Sequence, residues 1–185
     1  MTKLPPREVP EGLTPEEYYR LALQYKELGW TEQARDTLVL AIEGDPDGKT
    51  AEKAQRFLRT KIPRYPVPLY AEQKNIEGFN LSAGGYEAEA IETFEELIEE
   101  FPDFEWPYGN LGALFIRRER PDLAKKILEK AVLINPYYVN GWLHLARARV
   151  LLGDIEGARE GLQRILEIDP DNPAAAELKR LFETL

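Results

Sequence analysis

Four prolines constrain this chain more than any other feature: Pro46, Pro102, Pro136 and Pro170. The last three stand 34 residues apart, and the first gap is 56, one such period with 22 residues inserted. The same side-chain sizes recur around each. Twelve residues before the proline come Ala34, Ala90, Ala124 and Ala158, and twenty-four before it Ala22, Gly78, Gly112 and Ala146. Eight before it come Leu38, Phe94, Leu128 and Leu162, and seventeen before it Gly29, Gly85 and Gly153, with Glu119 the exception. Proline cannot continue a helix, because it lacks the N–H and its ring clashes with the preceding turn. Small residues mark places where two helix backbones come close. The offsets therefore predict two helices of about a dozen residues, joined by a tight turn and closed by the proline, four times over.

The 22-residue insertion has the same phase as the C-terminus. Ala51, Ala54, Phe57 and Leu58 lie 124 residues before Ala175, Leu178, Leu181 and Phe182, which is also the distance from Pro46 to Pro170. Both segments are expected to be amphipathic helices that cover the last apolar face of an array. The segment "IPRYPVP" follows the first, and its X-Pro steps disfavour helix. The expected organisation is a first hairpin with its capping helix over 13–62 and a Pro-rich linker over 63–68. Three repeats then occupy 69–185, at about 71–104, 105–138 and 139–172, with a capping helix over 173–185.

A 34-residue helix-turn-helix carrying Trp or Tyr, then Leu-Gly, an aromatic, Ala and a closing Pro resembles the tetratricopeptide repeat family. The stretch "WLHLARARVLLGDIEGAREGLQRILEIDP" carries Trp142, Leu145 and Ala146. The third repeat carries Tyr108, Leu111, Gly112, Phe115, Ala124, Ala131 and Pro136, and the first Tyr18, Leu21, Ala22, Tyr25, Gly29, Ala34, Ala41 and Pro46. In the second, Lys74 and Glu77 depart from the pattern. The resemblance implies an all-α fold, a right-handed α-solenoid of helix-turn-helix hairpins with capping helices, whose first helices line a concave groove.

Composition narrows function by exclusion. The net charge of −9 and the acidic pI near 4.9 argue against nucleic acid, whose affinity comes largely from Lys and Arg displacing counterions. No uncharged apolar run approaches the ~18 residues of a membrane span, and the N-terminus lacks a secretory core, so a soluble, cytoplasmic protein is expected. The chain has no cysteine, and its one histidine, His144, has no evident orienting partner. No phosphate loop or metal motif is present, and neither catalytic residue, cofactor nor metal is expected. The acidic run 87–105 holds nine carboxylates on the stripe opposite Ile91, Phe94, Ile98 and Phe101, and reads as a solvated face.

The partner is expected to be another protein. On each first helix the stripe opposite the core would face the groove. It comprises Asn75 and Phe79 in the second repeat, Trp106, Asn110, Ala113 and Arg117 in the third, and Asn140, His144 and Arg147 in the fourth. Amides hold extended backbone, arginines take carboxylates and aromatics anchor, so an extended or helical segment, acidic or C-terminal, would suit it. Trp106 has the alternative of packing against a neighbouring repeat. The two-carboxylate clamp of chaperone-tail-binding arrays is not matched, since only Asn110 falls on one of its positions. The expected function is a non-enzymatic adaptor or scaffold. A homo-oligomeric assembly module and a dedicated chaperone for a client protein are the alternatives.

Overall fold

The computed structural model describes residues 5–184; the first four residues, and Leu185 at the end of the predicted cap, lie outside the described residues. Among the described residues there are ten α-helices and no strand. They are α1 (Pro15–Glu27), α2 (Thr31–Gly44), α3 (Lys49–Lys61), α4 (Leu69–Ala83), α5 (Glu87–Glu100), α6 (Glu105–Arg117), α7 (Pro121–Ile134), α8 (Val139–Leu151), α9 (Ile155–Ile168) and α10 (Pro173–Glu183). The fold is a right-handed α-solenoid of helix-turn-helix hairpins with capping helices.

The prolines set the helix boundaries. Helices α2, α5, α7 and α9 each end two residues before one of them, at Gly44, Glu100, Ile134 and Ile168, and the next helix starts three residues after it, at Lys49, Glu105, Val139 and Pro173. Two of the aromatics that follow tie back to the break: the Tyr108 hydroxyl donates to the Pro102 carbonyl and the Trp142 indole N–H to the Pro136 carbonyl, each at 2.9 Å.

The tight turns inside the hairpins share one hydrogen-bond pattern. The N–H groups of Trp30, Tyr86, Arg120 and Asp154 donate to the carbonyls of Tyr25, Leu81, Phe115 and Arg149, all at 2.9 Å. This six-to-one closure needs a left-handed residue just before the donor. Gly29, Gly85 and Gly153 supply it with φ of 75°, 87° and 78°, and Glu119 adopts φ 56° in the same place. The turn geometry thus overrides the residue type at the one position where glycine is missing.

The small residues are where the helices touch. Ala22, Ala34, Ala90, Ala124, Ala146 and Ala158 are fully buried. A Cβ on Gly78 would lie 2.7 Å from Phe94 Cε1, and one on Gly112 would lie 2.4 Å from Leu128 Cγ. In the second and third repeats the bulky residue eight before the proline therefore sits on the small residue sixteen further back, which explains why both sizes recur together there.

The chain divides into two compact units, Met1–Gln73 and Lys74–Leu185, with the division falling inside α4. In the first, a capping box starts α1: the Thr14 side chain accepts from the Glu17 N–H at 3.3 Å and Glu17 Oε2 accepts from the Thr14 N–H at 2.8 Å. Helix α3 lays Ala51 and Ala54 against α1 and α2, with Phe57 edge-on to Tyr19 at 6.3 Å. The Pro-rich segment is not a free spacer, because Ile62, Pro63 and Val67 are buried and Arg35 donates to the Pro63 carbonyl.

In the second unit α6 and α8 pack side by side against α7 and α9, and α10 covers α8 and α9 with Ala174, Ala175 and Leu178. Helix α4 forms in full although Lys74 and Glu77 break its apolar pattern. Lys74 is held by Glu96 of α5 at 2.5 Å, and Glu77 is exposed. The acidic run has one correction. Glu105 is not on a solvated face: it is fully buried at the start of α6 and accepts from Asn135 Nδ2 at 2.7 Å. Its place at the head of a first helix, against the break that precedes α8, turns it inward.

Candidate functional site

One face of the second unit is built from successive first helices, α4, α6 and α8, followed by α10. Polar side chains join α4 to α6 and α8 to α10, while Leu145 of α8 packs with Phe115 and Ile116 of α6. Asn110 Nδ2 donates to Asn75 Oδ1 at 3.0 Å, joining α6 to α4. Seven residues further along both helices, Arg117 donates to the Ser82 carbonyl at 3.2 Å and to the Ser82 hydroxyl, and lies 4.0 Å from Glu87. Both links span 35 residues, one repeat and one residue more.

At the far end, Arg147 of α8 donates to Glu177 of α10 and its second nitrogen lies 3.4 Å from His144 Nδ1. Burial, reinforced by the Arg147 charge, pushes His144 down to about 4, so the imidazole is neutral at physiological pH. With Nδ1 facing the guanidinium, which has no acceptor, the ring proton sits on Nε2.

The predicted residues thus fall into three groups. Asn75 with Asn110, and His144 with Arg147, are brought together. Phe79 and Asn140 are exposed, and Asn140 has no side-chain partner among the described residues. Ala113 is half-buried. Trp106 is half-buried against the Tyr108, Ala131 and Tyr138 cluster, tilted on Phe104 at 5.6 Å, so it packs between repeats. Three residues of this face escaped sequence reasoning: Ser82, Glu87 and Glu177. The 35-residue offset that pairs Asn75 with Asn110 also points from Arg117 to Ser82. Glu177 carries no such signal, because it lies on the capping helix, outside the repeat.

Among the described residues no group of three or more His, Asp or Glu side chains is placed to hold a metal ion, and no helix is long and apolar enough to cross a membrane. Stacked helix-turn-helix hairpins define a helical-repeat protein.

The comparisons agree with that class. Tetratricopeptide repeat profiles match residues 17–47, 78–103 and 115–181, together more than half of the chain. The chain belongs to the tetratricopeptide repeat family. It is 31% identical over 114 residues to the small glutamine-rich tetratricopeptide repeat-containing protein 2 of Saccharomyces cerevisiae, covering 62% of this chain and 33% of that protein. Of four curated relatives that it matches, the chain spans 17–52% of the length. Among solved structures, the first repeat domain of Spaghetti (RPAP3), bound to the HSP90 peptide SRMEEVD, superposes with a TM-score of 0.57 at 23% identity, over 62% of this chain and 91% of that domain. The TPR2B domain of yeast Sti1 in its pHsp70 complex gives 0.58 at 21% identity, over 63% and 95%.

Proposed function

We propose that this chain is a non-enzymatic interaction module that holds an extended or helical segment of a partner protein in the groove formed by α4, α6 and α8. The observation that carries this reading is the row Asn75, Asn110, Asn140 and His144, amide and imidazole groups on successive first helices, in which Asn75 is buried under its bond from Asn110 while Asn140 is exposed with no side-chain partner among the described residues. Such groups hold peptide backbone, whose own donors and acceptors must be satisfied on binding. Phe79, 57% exposed on α4, is the aromatic anchor.

Charge favours an acidic segment inside the groove. Residues 69–185 carry 13 basic and 22 acidic side chains, yet the groove itself presents Arg117 and Arg147. A positive interior within an acidic shell guides a carboxylate inward. Two structural neighbours are named for complexes with an HSP90 peptide and with pHsp70, which supports the mode of use without naming this chain's partner.

The test is selection of a displayed random peptide library on the full chain, followed by titration of the enriched peptides. Asn140→Ala and Phe79→Ala alter exposed side chains, so each is expected to weaken binding at least about fivefold, the loss for ~1 kcal/mol, with melting unchanged. Full binding by the double variant would show that the ligand lies elsewhere.

A further inference from the structure

Arg147 and Glu177 meet at a junction that the repeat pattern does not require. Both side chains are 38% exposed. In the first unit α3 caps its hairpin in the same phase, 124 residues earlier, where the equivalent positions are Leu23 and Lys53. A cap therefore forms without this ion pair. One period before Arg147 stands Ala113, so the pair is not a device of the repeat either.

What attaches α10 is its apolar face. Ala174, Ala175 and Leu178 are buried on α8 and α9, with Leu181 and Phe182 packed beside them. A half-exposed ion pair adds little to such a contact. Its consequence lies in the groove, where a carboxylate of the same chain occupies the arginine that a ligand carboxylate would use.

We propose that Glu177 is a tethered competitor for Arg147, by which the C-terminal helix keeps the last arginine of the groove from incoming carboxylates until a ligand displaces it. The proposal rests on the groove reading above. Being on the same chain, Glu177 is present at high effective concentration. A free acidic side chain does not displace it. A segment that also engages Asn110, Asn140 or Phe79 does, because those contacts add to the exchange of one carboxylate for another. The released Glu177, already half in water, returns to solvent at small cost. The device raises the threshold for acidic ligands and leaves neutral ones unaffected.

His144 makes this measurable. It is the single histidine of the chain and lies 3.4 Å from Arg147, so its imidazole NMR signals are unambiguous and respond to changes at that guanidinium. The full chain is titrated with the acidic heptapeptide SRMEEVD and with an amidated version in which Gln and Asn replace the acids. Glu177→Gln is expected to bind the acidic peptide about two- to fivefold more tightly than the wild type, the gain matching a half-exposed ion pair. The neutral peptide should show no gain, and adding Arg147→Gln should abolish it. Equal affinities for wild type and Glu177→Gln, or a gain that persists without Arg147, overturn the proposal. So does a lowered melting temperature for Glu177→Gln, which would assign the pair to capping. Absence of any His144 shift in every protein overturns it too, while the groove reading stands or falls separately on the display experiment.

Discussion

Leu128 rests on the bare backbone of Gly112, so close that a Cβ there would lie 2.4 Å from its Cγ. The helices α6 and α7 take their separation from this contact. Phe94 over Gly78 repeats it one period earlier, with 2.7 Å to the nearest ring carbon.

Gly112→Ala should therefore destabilise the second unit, although alanine favours helix by about 1 kcal/mol over glycine. Forcing Leu128 aside costs roughly 1–3 kcal/mol, and the balance is a loss of up to about 2 kcal/mol. Urea unfolding should show a lower midpoint at constant slope. An unchanged midpoint would mean that Leu128 moves freely and that the close approach is not what spaces these helices.

Glu119 offers the opposite change. It holds φ 56° in a turn whose three counterparts are glycine, and it is exposed with no side-chain partner among the described residues. Glu119→Gly relieves the left-handed strain and removes no contact. Because glycine also loses more entropy on folding, the net gain should be about 0.5–1 kcal/mol, a rise of about 1–4 °C in Tm by calorimetry. A lower Tm would contradict the turn assignment.

Glu72 gives the first unit a pH dependence. It is buried, accepts from the Thr31 hydroxyl, and burial pushes it up to about 7 from 4.5, against the pull of the Thr31 bond, Lys26 and Arg35, with Glu32 adding to the rise. A carboxyl whose pKa is higher folded than unfolded binds its proton more tightly in the folded state. Its contribution is full below about 4.5, falls as pH rises towards 7 and is constant above. Glu72→Gln keeps the acceptor for Thr31 and removes the titration. The variant should gain stability over the wild type between pH 5 and 8, by up to ~3 kcal/mol, as measured by urea midpoints at the two values. A difference that does not change with pH would show that Glu72 is ionised throughout.

The sequence by itself determined the repeat, and with it the places where the second helices of the hairpins end. The reason is local: proline ends a helix wherever it falls, glycine permits the left-handed turn, and a small residue is needed wherever a bulky one must sit above it. Those constraints act within about 34 residues and leave a mark at fixed spacing. Tertiary structure alone decided what lies between repeats. It turned Glu105 inward to Asn135, buried Ile62 and Val67 of a segment that reads as a spacer, let α4 form over Lys74 and Glu77, and set Glu177 on Arg147. Each of these depends on a side chain that only the folded chain brings near, and a charge or amide has no preferred face until its partner is in place.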